Sequence, residues 1–207
     1  WDAGVIKISS PSLKLCDSAG YQVKVVIQNF GDSTLDSVMI DYEVDGNMDF
    51  TSSTPNLLTD SISEVSLGTY GLSIGSHTIK AWTVNPGNNS DEDNSNDTFE
   101  ITVVVSKPPV TDAGSDATVC EGTSVSIGMK EVSGNTYLWS SDPSGFSSTD
   151  ASEKVTPKET TTYYLTEKDT TTGCSNNDTV IITVNPLPST NAGSDDTVCN
   201  GTSTAIG

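Results

Sequence analysis

The chain has 207 residues, 28 of them acidic and 9 basic, for a formal net charge of −19. All nine cations are lysines, so the guanidinium groups that favour phosphate recognition and interface anchoring are missing, and a field this acidic repels nucleic acid and anionic membrane surfaces. No run approaches the roughly 18 continuous apolar residues of a membrane span, and membrane insertion is not expected of this segment.

Hydrophobic residues make up 33% of the chain, but they are gathered in short alternating runs, which argues for ordered β-structure over disorder. The chain opens on Trp1 with no basic or apolar leader, the pattern of a mature or excised piece. VIKIS reads as the first strand. YQVKVVIQNFG puts Tyr21, Val23, Val25 and Ile27 on one face, and DSVMIDYEVDG does the same with Val38, Ile40, Tyr42 and Val44 before turning at Asp45-Gly46. A short MDFTS strand, ISEVSLG, HTIKAWTV and TFEITVVV follow, separated by Asn/Gly/Pro/Ser clusters. About seven short strands with frequent turns predict an antiparallel β-sandwich.

KPPV at 107–110 reads as a stiff linker, since consecutive prolines cannot continue a ladder. TSVSIGM, TYLWSS, KVTP, TTYYLTEK and NDTVIITV then predict a second, smaller sandwich with Trp139 in its core. NPLP at 185–188 is a second proline-bearing linker. TDAGSDATVCEG from Thr111 returns as TNAGSDDTVCNG from Thr190, 79 residues on, and NDTFEITV returns as NDTVIITV. The period marks a module. The expectation is therefore an all-β protein of tandem Ig-like sandwiches: 1–106, 107–188, and the first strands of an incomplete third repeat over 189–207. The eighteen residues from Thr190 to Gly207 cannot bury a core alone, so that last stretch belongs to a longer array or pairs with another chain.

Cys120 and Cys174 flank the second module, 54 residues apart, and their positions suggest a disulfide at one end of the sandwich worth roughly 4 kcal/mol. By the same spacing Cys199 expects a partner beyond this chain, and Cys16 has none in its own module. A bonded pair implies an oxidising, extracellular setting.

Catalytic chemistry is hard to place. His77 is the lone histidine, and no Ser-His-Asp or Cys-His arrangement forms around it, so it reads as a solvated or capped strand residue. NNSDEDNSND offers Asp91, Asp93 and Asp97 as a loop calcium site. An EF-hand is excluded, because Asn96 stands where Gly is needed and Thr102 where the bidentate Glu belongs. Asp112 and Asp116 of DAGSD form a similar calcium candidate beside the linker. Other than calcium, no cofactor is expected. For carbohydrate stacking the chain offers Tyr42, Tyr70, Trp82, Trp139, Tyr163 and Tyr164; Trp82 is out of phase with Ile79 and Ala81 and is the best exposed of them.

Through VIKISSPS, VKVVIQNFG, IDYEVDG and HTIKAWT the first module resembles the CARDB-like domains of secreted bacterial proteins. Through DAGSDATVCEGTSVSIG, YLWSSDP, TTTYYLTEKDTTTGC and NDTVIITVNPLP the second resembles the Ig-like repeats of Bacteroidota surface proteins, including gliding-motility adhesins exported by the type IX secretion system. The resemblance implies a non-enzymatic structural and interaction segment of an extracellular adhesin, stalk or filament. Its partners would be neighbouring modules or subunits, a surface polysaccharide, or a host or substrate surface. It also implies O-glycosylation at Asp-Ser/Thr motifs, here Ser18, Ser33, Ser37, Ser61, Thr170, Thr179 and Thr197. The rival reading is a carbohydrate-binding accessory module of a secreted enzyme.

Overall fold

Alternation places successive side chains on opposite faces of an extended backbone. In the computed structural model, which describes residues 1–53, 56–195 and 197–205, that alternation becomes fifteen strands and one short 3-10 turn among the described residues. The chain forms two units: Trp1–Val110 with Lys168–Asn176, and Thr111–Glu167 with Asn177–Gly207. Each is described by itself.

The first unit contains β1 (Ala3–Ser10), β2 (Lys14–Cys16), β3 (Ala19–Asn29), β4 (Val38–Val44), β5 (Asn47–Ser53), β6 (Ile62–Leu72), β7 (Gly75–Val84) and β8 (Thr98–Ser106). One sheet runs β1-β3-β6 and the other β2-β8-β7-β4-β5. Val23, Val25 and Ile27 of β3 and Val38, Ile40, Tyr42 and Val44 of β4 all turn into one apolar core, as their period requires. The β4–β5 turn is the expected two-residue hairpin. Asp45 and Gly46 have φ of 53° and 77°, the doubly left-handed backbone that matches strand twist.

The second unit contains β9 (Ala117–Cys120), β10 (Val125–Gly128), β11 (Asn135–Asp142), β12 (Ser147–Ser148), β13 (Ser152–Val155) and the larger parts of β14 (Thr161–Asp169) and β15 (Ser175–Asn185). Its sheets run β12-β11-β14-β15-β9 and β10-β13. Trp139 is fully buried among Ile127, Leu165, Val180 and Ile182, and its indole N–H donates to the Asp150 carbonyl at 2.9 Å. Gly128 sits against it with φ of 82°, and a Cβ there would lie 2.3 Å from the Ala151 carbonyl oxygen, so only glycine fits.

The structure adds two strands that sequence periodicity does not flag, β2 and β12. They are three and two residues long, too short to display any period. It also makes one pairing in each unit parallel: β2 with β8, and β9 with β15.

The second copy of the DAGSD motif behaves differently from the first. Residues 196, 206 and 207 of the predicted third repeat lie outside the described residues. The described part of 189–205 contains no strand; its Thr202 N–H donates to the Cys199 carbonyl at 3.0 Å. The first copy is extended because four residues of β15 hold β9 in register. A lone stretch has no ladder to join.

Candidate functional site

The candidate sites are two polar clusters, one aromatic cluster and the cysteines at the sheet edges. The first is an acidic corner of the first unit. Asp97 follows a turn in which Asp93 accepts from the Ser95 N–H at 2.9 Å and from its hydroxyl at 2.6 Å. The Asp97 carbonyl receives the Val5 N–H, tying β8 to β1. Its carboxyl group is buried, and desolvation, then the nearby Asp91 charge, push its pKa up to about 6. Thr83 Oγ1 donates to the Ala3 carbonyl at 2.5 Å and to Asp97 Oδ1 at 3.2 Å, and the second of these bonds offsets part of the rise.

The sign of the pH effect follows. The folded pKa of Asp97 lies above its unfolded value, so the native state holds the proton more tightly, and stability falls as pH rises from about 4 to above 6. With a shift of this size the loss is about 3 kcal/mol. Asp97→Asn should flatten that part of the profile and raise stability at pH 7.5, measured by thermal unfolding in a chelator so that the proton is the only cation in play. An unchanged profile would refute the protonated corner.

Of the calcium candidates in the first unit, Asp91 lies beside Asp97. Asp93 is turned back on Ser95, and Asp91 accepts from the Ala3 N–H at 3.4 Å. In the second unit, Asp112 accepts the Gly114 N–H and Asp116 the Ile181 N–H, each at 2.8 Å. Among the described residues no group of three or more His, Cys, Asp or Glu is placed to hold a metal ion.

The second cluster centres on His77, which sequence reasoning reads as solvated or capped. It is buried at the start of β7, with Nδ1 2.6 Å from Asp45 Oδ2 and Nε2 2.7 Å from the Ser73 carbonyl. Both neighbours are acceptors, so the site favours the ring form in which both nitrogens donate, the imidazolium. The bond to Asp45, then that to Ser73, holds the His77 pKa above its ordinary value, and His77 in turn holds Asp45 below its own. The histidine contribution is complete below its unfolded pKa and is lost as pH rises through the folded one. The aspartate contribution is present above its unfolded pKa and is lost as pH falls through its folded one. An NMR titration should therefore place the His77 midpoint above about 6.5, and Asp45→Asn should bring it down. A midpoint unmoved by Asp45→Asn would sink the pairing. The ring has no nucleophile within this set of partners, and the cluster reads as a tie between the β4–β5 turn and the β6–β7 turn.

The third cluster is aromatic. Tyr42, Trp139 and Tyr163 are buried. The Tyr70 hydroxyl donates to that of Tyr42 at 2.7 Å. Trp82 is half-buried on the outer face, with Lys80 Nζ 5.4 Å from its ring centroid, a cation–π contact that occupies the ring. Tyr164 is exposed. An open polar hollow in the second unit is lined by Glu131, Asn135, Tyr137 and Asp150. Of the glycosylation candidates, Ser18, Ser33, Thr170, Thr179 and Thr197 are exposed, whereas Ser37 and Ser61 are half-buried.

The cysteines correct the sequence reading. The disulfide joins Cys16 to Cys174, with Cα atoms 5.5 Å apart; Cys120 is free and exposed, as is Cys199. The reason is the direction of one strand. Because β9 runs parallel to β15, Cys120 lies beside Asn185, the last residue of β15, whereas Cys174 precedes its first, Ser175. The two cysteines face opposite ends of an 11-residue strand, roughly 35 Å of extended chain, and no disulfide spans that distance. Cys174 instead sits in the turn Lys168–Asn176, which belongs to the first unit and places its sulfur 3.8 Å from the Leu15 carbonyl oxygen.

No curated protein matches the chain. Among solved structures it is similar to a Pyrococcus furiosus CARDB domain determined with di-metal ions (15% identity, 51% of this chain, 94% of that one, TM-score 0.44). It is similar also to the fibronectin(III)-like modules of Clostridium thermocellum CbhA (14% identity, 91% and 99% coverage, TM-score 0.41). A third likeness is to extracellular domains 3–5 of Drosophila OTK (11% identity, 89% and 97% coverage, TM-score 0.28). Within the chain, residues 107–186 match the family model described as "Ig-like domain CHU_C associated".

Proposed function

We propose that the chain is a non-enzymatic structural and interaction segment of an extracellular bacterial surface array: an adhesin, stalk or filament of tandem Ig-like modules, exported by the type IX route. The observation that carries this reading is the near-copy at Thr111 and Thr190, 79 residues apart, the first of which opens an Ig-like module. Tandem modules transmit force and set reach through rigid β-sandwiches and proline linkers. A net charge of −19 keeps such a rod solvated and discourages lateral association, and the Cys16–Cys174 bond suits an oxidising compartment. Neighbouring modules are its first partners, with a polysaccharide or a host surface as the adhesion target. Glycan on the exposed Asp-Ser/Thr motifs would add a protective coat.

The test is antibody labelling of intact source cells, with and without brief surface proteolysis. Surface signal that protease removes is expected; signal that appears only after lysis would overturn the reading. Intact mass of the native material reports glycan at the Asp-Ser/Thr positions in the same experiment.

A further inference from the structure

From the way the Cys16 site is rebuilt around Cys120, we infer that Cys120 is a covalent docking point for the repeat that follows, through the cysteine of that repeat's β14–β15-type turn. Cys16 ends a short strand that runs parallel to the closing strand of its sheet, opposite its last residue, Ser106; Cys120 ends a short strand that runs parallel to β15, opposite its last residue, Asn185. The residue after each cysteine donates its N–H to that same last residue: Asp17 to Ser106 at 2.8 Å and Glu121 to Asn185 at 2.9 Å. From each closing residue the chain runs five positions, through prolines, to a copy of the same motif, at Thr111 and at Thr190. Each motif then opens with the same local turn, Asp112 accepting from the Gly114 N–H at 2.8 Å and Asn191 from the Gly193 N–H at 2.9 Å.

At the first of these two sites the cysteine is bonded. Its partner comes from a turn, Asp169 to Cys174, supplied by the repeat that follows in sequence. In that turn Asp169 accepts the Thr171 N–H at 2.7 Å, and the Asp169 N–H donates to the Cys174 carbonyl at 2.9 Å. The Asn176 amide donates to the Pro109 carbonyl at 3.2 Å, so the linker is part of the seat. At the second site the seat is present and the thiol is exposed. A repeat completed from the Thr190 copy carries the matching turn. Bond formation takes two electrons and two protons from the two thiols, delivered to a disulfide oxidant such as oxidised glutathione, which leaves as two thiols. Successive repeats would then be linked twice, by the backbone and by a disulfide reaching back one repeat.

The inference rests on reading the chain as part of a repeat array, and it can fail separately from that reading. The test extends the 207-residue chain by residues 129–188 after Gly207, so that the Thr190 copy becomes a complete repeat. After refolding with oxidised and reduced glutathione, non-reducing peptide mapping should find Cys120 bonded to the appended copy of Cys174. Iodoacetamide labelling of Cys120 should fall at least tenfold relative to the 207-residue chain, and Cys120→Ser should leave the appended cysteine open to label. A bond between Cys199 and the appended cysteine would overturn the inference, as would a Cys120 that labels at its original rate.

A second measurement needs no extension. In the 207-residue chain carrying Cys16→Ser, Cys120 should label in the native state, and Cys120 and Cys174 should both label after denaturation and stay unlinked. A Cys120–Cys174 bond there would restore pairing within one repeat and remove the case. Loss of surface labelling on cells would defeat the array reading while leaving these linkages to stand or fall by themselves.

Discussion

Cys174→Ser is expected to lower the thermal midpoint of the first unit by about 15 °C. The bond it removes joins residues 158 apart in sequence, and a loop of that length is worth about 5 kcal/mol by chain entropy alone. A compact unfolded ensemble takes back part of that, leaving about 4 kcal/mol. Calorimetry with and without a reductant checks the expectation on the unmodified chain: reduction should carry the wild type down to the midpoint of the variant and leave the variant where it is. Cys120→Ser is the control and should shift the midpoint by less than about 2 °C, since that thiol is exposed and unbonded. Equal midpoints under oxidising and reducing conditions would show that the bond does not hold the native state.

The second large effect lies in the other unit. Trp139→Ala should cost about 4 kcal/mol, because the indole is fully buried and its removal leaves a hole against Ile127, Leu165 and Ile182. Trp139→Phe keeps most of the volume but strands the Asp150 carbonyl that accepts from the indole, and about 2 kcal/mol is expected. Hydrogen exchange read on β11 and β14 separates this from any event in the first unit. Tyr164→Ala, at an exposed neighbouring position on β14, should lie within about 0.5 kcal/mol of wild type. If Trp139→Ala exchanges no faster than Tyr164→Ala, the core assignment is wrong.

How far these features can be read from sequence depends on the range of the interactions behind them. β3 and β4 are legible because seven to eleven residues of period-two patterning leave little choice of face. The hairpin at Asp45-Gly46 is legible because its backbone needs two left-handed residues in a row. Trp139 is legible for its bulk and its place in a strand. The environment of His77 is not: its partners are a carboxylate 32 residues earlier and a backbone carbonyl across a turn. Asp97 looks like one acid among many, and only the fold buries it beside Thr83. The cysteine pairing misleads for a similar reason. Spacing suggests a bond within one repeat, but the parallel direction of β9 decides which end of β15 each cysteine meets, and a four-residue strand carries no sequence mark of its direction.

The Cys16–Cys174 bond turns most of the polypeptide into a closed ring. Trypsin can cut this chain only after lysine, and Lys130 and Lys158 are exposed inside the ring. A single nick at either position opens the ring without releasing a fragment. The two pieces travel together on a non-reducing gel and separate only when thiol is added. A chain cut once in this way stays joined until the disulfide is reduced.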